Sequence, residues 1–96
     1  MVIKNLVFDC EEECGFKLAN GGILRNLNDL NGSLDEMDEG VFRHHVTDEK
    51  NDFGNWVREV LGDEKLADDL AIAKNKNMAQ VAVLKRMIEL VKDIIK

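Results

Sequence analysis

Ninety-six residues with a net charge of −6, 45% apolar side chains and only 5% aromatic ones fit one domain with a core of Leu, Val, Ile, Met and Ala, a set that favours packed helices. The apolar stretches are too short or too interrupted to span a bilayer: Gln80, Lys85, Arg86, Glu89, Lys92 and Asp93 break the longest, from Met78 to Ile95. With no secretory leader pattern and only two cysteines, the expectation is a cytosolic protein with reduced thiols.

In chain order, Val2 to Phe8 is β-branched or apolar with Lys4 and Asn5 interspersed, which suits a short half-buried strand. Asp9 to Gly15 is acidic and ends in Gly, the composition of an exposed loop. Phe16 to Ala19, then Asn20-Gly21, then Gly22 to Arg25 is the pattern of a tight hairpin, since Asn-Gly accepts the positive φ angles of a type I′ turn. Asn26 is placed to cap a helix whose inner face is Leu27, Leu30, Leu34 and Met37, with Gly32 weakening it by about 1 kcal/mol relative to Ala.

Asp38 is expected to cap a short helix, Glu39 to Val46, with Val41, Phe42 and His45 or Val46 inward. Residues 47–51 form a break. Either Asn51 or Asp52 can cap the next helix, and Asp52 is preferred because it sets Phe53 at the first helical position with Trp56 and Val57 facing inward. Phe53, Trp56, Val57, Val60 and Leu61 recur at i, i+3, i+4, i+7 and i+8, the best periodicity in the chain. Gly62 marks a left-handed helix end and Asp63 a new start, so Glu64 to Lys74 is read as a helix using Leu66, Ala67, Leu70 and Ala71. After Asn75-Lys76-Asn77 comes the longest helix, Met78 to about Ile95, with Val81, Leu84, Ile88, Val91 and Ile95 as its expected inner seam, widened by Met87 and Ile94. The fold class is therefore α+β and predominantly helical: a small N-terminal antiparallel sheet followed by about five packed helices, in one domain over residues 1–96.

Charge is unevenly spread. Residues 1–73 carry 7 basic and 17 acidic side chains, a net −10, whereas 74–96 carry 6 basic and 2 acidic, a net +4. An acidic body repels a polyanion over about 8 Å at physiological salt, so a nucleic-acid partner would have to be held by the last helix alone, and the composition speaks against one.

The chemistry-bearing residues are few. Cys10 and Cys14 have the separation of a C-x₂₋₄-C zinc pair, but two further ligands are needed. The only histidines, His44 and His45, are helix neighbours pointing about 100° apart, so the plainer reading is a pair of loop thiols. For the histidines the plain reading is one imidazole packed against a neighbouring helix and bonded to a carbonyl or carboxylate, the other in water. Neither has a serine, cysteine or carboxylate at a spacing that implies catalysis. Asp48, Glu49 and Asp52 can orient an imidazole or stabilise the positive end of the following helix. Trp56 lies on the apolar stripe and reads as a core anchor, with Asn55 on the outer side. The glycines match no nucleotide-binding loop.

The unbroken segment His44-His45-Val46-Thr47-Asp48-Glu49-Lys50-Asn51-Asp52-Phe53-Gly54-Asn55-Trp56-Val57 resembles the signature His-His-Val-x-x-Glu-Lys-Asn-Asp-Phe-x-x-Trp-Val of a family of small uncharacterised prokaryotic domains, prominent in archaea. The resemblance extends upstream through Asn20 to Leu27 and downstream through Val60 to Ala67, covering roughly residues 16–72. Cys10, Cys14 and the final basic helix lie outside it. The resemblance implies a domain type and carries no catalytic activity with it; no cofactor is expected. Polar side chains crowded into one helix junction exceed what a single cap requires, which points to a non-enzymatic interaction or regulatory domain with a protein partner. Its candidate contact residues are His44, Asp48, Glu49, Lys50, Asn51 and Asn55. The competing expectation is a zinc-binding or metal-sensing protein using Cys10, Cys14 and a histidine, His44 or His45.

Overall fold

The computed structural model describes residue 6 and residues 8–95. The strand expected over Val2 to Phe8 falls mainly outside them; of that stretch, Leu6 packs partly buried against the core and Phe8 is exposed. The acidic loop contains one 3₁₀ turn, Glu12–Cys14, and is tied back where the Cys10 N–H donates to the Arg25 carbonyl at 2.9 Å.

The hairpin forms with β1 Phe16–Lys17 antiparallel to β2 Ile23–Leu24, Phe16 opposite Leu24 and Lys17 opposite Ile23. Its turn differs from the expected type I′. That turn needs positive φ at both central residues, yet Gly21 alone takes it, at +97°. The Gly21 N–H donates to the Leu18 carbonyl at 2.9 Å and the Leu18 N–H to the Gly22 carbonyl at 2.7 Å. The chain thus closes a three-residue loop with the left-handed residue last, and the Asn20 side chain accepts from the Gly22 N–H at 3.1 Å.

α1, Leu27–Glu36, starts where Asn26 Oδ1 accepts from the Asp29 N–H at 2.8 Å. Asp29 returns the favour by accepting from the Arg25 N–H at 3.0 Å, so two amide donors at the helix entry are satisfied reciprocally. The same Asn26 donates to Asp9 at 2.8 Å, which fixes the acidic loop over the helix start. Leu27, Leu30, Leu34 and Met37 are buried. Asp38 caps α2, Glu39–His45, by accepting from the Val41 N–H at 2.9 Å, and turns Phe42 and His45 inward.

α3, Asp52–Trp56, continues through Val57–Leu61 as a wider turn in which the Gly62 N–H reaches back five residues to the Val57 carbonyl. Phe53, Trp56, Val57 and Leu61 are buried. Gly62, at φ +70°, ends the helix in left-handed geometry that a side chain resists. Asp63 then caps α4, Glu64–Ala71, by accepting from the Leu66 N–H at 3.1 Å. This helix stops short of Lys74, and the buried alanine past Ala67 is Ala73 rather than Ala71.

α5, Lys76–Ile94, is capped by Asn75, and the Lys76 ammonium donates to the Met37 carbonyl at 3.0 Å at the end of α1. It packs along α1 and α4, but on a face other than the expected one. Ala79, Val83 and Leu90 are buried and Arg86 and Met87 half-buried, whereas Val81, Leu84, Ile88, Val91 and Ile95 are exposed. The reason is a buried carboxylate. Asp63, 1% exposed, accepts from Arg86 Nε at 2.7 Å, and an unpaired charge at that depth would cost several kcal/mol. Turning Arg86 inward carries Val83 and Leu90 with it, and Ala79 is buried on the same side of the helix. The protein is thus α+β and mainly helical, with a two-stranded sheet followed by five helices among the described residues. No helix among the described residues is long and apolar enough to cross a membrane.

Candidate functional site

The His44–Val57 segment divides into an inward and an outward half. Val46 and Asn51 form an antiparallel bridge that closes a tight turn: the Thr47 N–H donates to the Lys50 carbonyl at 2.9 Å, and Thr47 Oγ1 accepts from the Glu49 and Lys50 N–H groups, both at 3.2 Å. That turn uses the backbone of Asp48 and Glu49 and leaves their side chains outside.

The inward half is fully engaged. The ring of buried His45 accepts from the Ala19 N–H at Nε2, 3.0 Å, and meets Asp52 Oδ2 from Nδ1 at 3.0 Å. An amide N–H can only donate, so Nε2 carries the lone pair and the Nδ1 proton points at Asp52. The contact is therefore a hydrogen bond from a neutral imidazole, although its length also suits an ion pair. Burial pushes the Asp52 carboxyl up, but the hydrogen bonds from His45 and Lys50 and the Lys50 charge outweigh it and hold the group below the usual carboxylate value. Phe16 packs against this cluster, with ring centroids 5.0 Å from His45, 5.1 Å from Phe53 and 6.0 Å from Trp56. The Trp56 Nε1–H donates to the Cys14 carbonyl at 2.8 Å.

Asn51, and not Asp52, is the cap of α3. Its Oδ1 accepts from the Gly54 N–H at 2.9 Å while its Nδ2 donates to the Leu70 carbonyl at 2.8 Å. One side chain thereby satisfies a free amide at one helix start and adds a second donor to a carbonyl at another helix end, which also accepts from the Ala73 N–H at 3.1 Å. Asp52 is instead drawn to His45 and to Lys50, whose Nζ lies 3.1 Å away. Asn51 therefore has a full structural duty, which corrects the expectation that it is spare for a partner.

The outward half borders a cleft of about 440 Å³ between the 47–51 turn, the start of α3 and the end of α4. Of the six candidate contact residues, Asp48, Glu49, Lys50, Asn51 and Asn55 line it. His44 does not. It is exposed beside His45, ring centroids 4.9 Å apart and planes at 86°, and lies off the cleft wall. Arg43 and Lys74 also line the cleft, and nothing in the local pattern marks them, because one comes from the last turn of α2 and the other from the connection after α4.

The expected metal-ligand set is not brought together. Both ring nitrogens of His45 are occupied, as above, and the Cys14 carbonyl holds Trp56. Cys10 and Cys14 are free and half-buried, and burial together with the neighbouring Cys14 pushes the Cys10 thiol up, away from the thiolate a metal needs. Among the described residues, no three His, Cys, Asp or Glu side chains are grouped so as to hold a metal ion. Cys10 and Cys14 thus neighbour each other, as do His44 and His45, without the four converging on one point.

Among curated proteins and among solved structures, nothing matches this chain. A family model does, and it reaches beyond the resemblance drawn over residues 16–72 to take in both cysteines and the whole of α5. Matched over residues 7–96, the chain belongs to the family of unknown function DUF5752.

Proposed function

We propose that this domain is a non-enzymatic interaction module whose contact face is the cleft bordered by Asp48, Glu49, Lys50 and Asn55. One observation carries the reading: within one continuous segment, the side chains that hold the helix junction are bonded, while Asp48, Glu49 and Asn55 are left over and converge on a single concavity, with Lys50, itself bonded to Asp52, at its edge. Exposed polar groups with no local duty are where recognition is carried in a connecting loop on a rigid scaffold. The cleft presents both signs of charge, Asp48 and Glu49 against Arg43, Lys50 and Lys74, which suits a polypeptide surface of mixed polarity better than a polyanion. No cofactor enters this reading.

The test is affinity capture from an extract of the native host, comparing wild type with Glu49→Arg/Asn55→Arg. A protein retained by wild type and by an α5 variant, Ile88→Ser, but lost from the cleft variant at unchanged unfolding behaviour, is the expected result. Equal retention by all three, or loss only with Ile88→Ser, would place recognition elsewhere.

A further inference from the structure

We propose that the groove between α4 and α5 binds an acidic amphipathic helix of another protein, its apolar face on Ile72, Val81 and Ile88 and its carboxylates on Lys85 and Lys92. The groove adjoins the cleft, sharing Ala73 with it, but its apolar and charged walls are otherwise different residues.

Eight of the ten large apolar side chains exposed among the described residues lie on α5 or at its border with α4, where a small monomer rarely gathers so many. Along α5, Val81, Leu84, Ile88, Val91 and Ile95 follow at i, i+3, i+7, i+10 and i+14, the spacing of a seam that receives a second helix. Val81 and Ile88 are each 54% exposed and Ile95 75%, so the seam is uncovered along its length. Beside it runs a groove of about 560 Å³ whose floor includes Ile72, Met78, Val81 and Ile88. From Val81 to Ile95 the seam extends about 21 Å, the length of a partner helix of roughly two heptads.

Charge selects the occupant. Lys85 and Lys92 line the groove seven residues apart, so they sit in one column about 10 Å from each other. Neither makes a hydrogen bond or ion pair among the described residues, although the charge of Lys85 is felt by Glu89; of the two carboxylates that line the groove, Asp69 and Glu89, the second is already bound to Lys65 on the opposite wall, so the lysines are in excess by one. Both lysines hold the same heptad position, one that flanks the seam and normally pairs with an opposite charge on the partner. A second copy of this chain supplies none. In an antiparallel pairing Lys85 of one copy meets Lys92 of the other, and in a parallel pairing they meet Gln80 and Met87. Carboxylates spaced seven residues apart on a foreign helix satisfy both lysines at once, in the groove-docking mode of amphipathic peptides.

The probe is a labelled synthetic helix of about 18 residues, with leucine at the seam positions, glutamate at the flanking ones and alanine elsewhere, titrated by fluorescence anisotropy. Expected is saturable binding at one site, weakened at least about tenfold by Lys85→Glu/Lys92→Glu and by Ile88→Asp, and unchanged by Glu49→Arg/Asn55→Arg. A peptide with lysine in place of glutamate should bind the Lys85→Glu/Lys92→Glu variant in preference to wild type. Equal binding of acidic and basic peptides by wild type would overturn the proposal. So would a wild-type dimer in sedimentation that Ile88→Asp abolishes, since a second copy would then cover the face. Tighter binding to phosphatidylserine vesicles than to the acidic peptide would overturn it in favour of a membrane surface.

Discussion

Arg86→Met is expected to destabilise the domain by about 3–5 kcal/mol, read from the urea unfolding midpoint, because it strands a buried carboxylate. Asp63 has two bonds that offset its desolvation, the Leu66 N–H at 3.1 Å and Arg86 Nε at 2.7 Å. Removing the guanidinium leaves only the first. The side chain at 86 also contributes aliphatic packing on the inner face of α5, which methionine retains, so the loss isolates the charge. The double variant Asp63→Ala/Arg86→Met should recover part of the deficit, since it removes the stranded group and forfeits mainly a helix cap, about 0.5–2 kcal/mol. Should the double variant prove less stable than Arg86→Met, the pair would not be the element that sets the rotation of α5. Glu89, 3.8 Å from the guanidinium, is too exposed to take over this role.

Trp56→Ala is expected to cost about 3–5 kcal/mol, through lost burial and the cavity left behind. The indole is 7% exposed and joins three segments: it stands on α3, packs edge-on against Phe16 of the hairpin, and bonds the Cys14 carbonyl of the acidic loop. Trp56→Phe keeps much of the packing but leaves that carbonyl without its donor, for about 0.5–1.5 kcal/mol. Hydrogen exchange should then quicken in the Glu12–Cys14 turn more than in α5. Wild-type melting of Trp56→Ala would put the indole outside the core.

Local signals were easy to read and long-range ones were not. Asn26, Asp38, Gly62 and Asp63 all act where their residue types place them, because a cap or a left-handed helix end is decided within four residues. Asn51 and Asp52 are both good caps, and what separates them is distant: the Leu70 carbonyl claims one and His45 the other. The α5 seam illustrates the same limit. Helical spacing of apolar residues selects Val81, Leu84 and Ile88, whereas the fold buries Ala79, Val83 and Leu90, since the contact between Asp63 and Arg86 spans 23 residues and outweighs apolar area. At the cleft, the surplus of polar groups between His44 and Asn55 was visible as a surplus, but Arg43 and Lys74 join only through the packing of α2 and α4 around the 47–51 turn.

If His44–Val57 divides into side chains that hold the helix junction and side chains that do not, denaturant unfolding separates the two sets. Asn51→Ala should lose at least about 0.5–2 kcal/mol, because its cap and its bond to Leu70 go together. Asp48→Ala, Glu49→Ala and Asn55→Ala, each made singly on the cleft wall, should stay within about 0.5 kcal/mol of wild type. Any of the three proving less stable than Asn51→Ala would place that cleft residue in the network that fixes the helix junction and overturn the division.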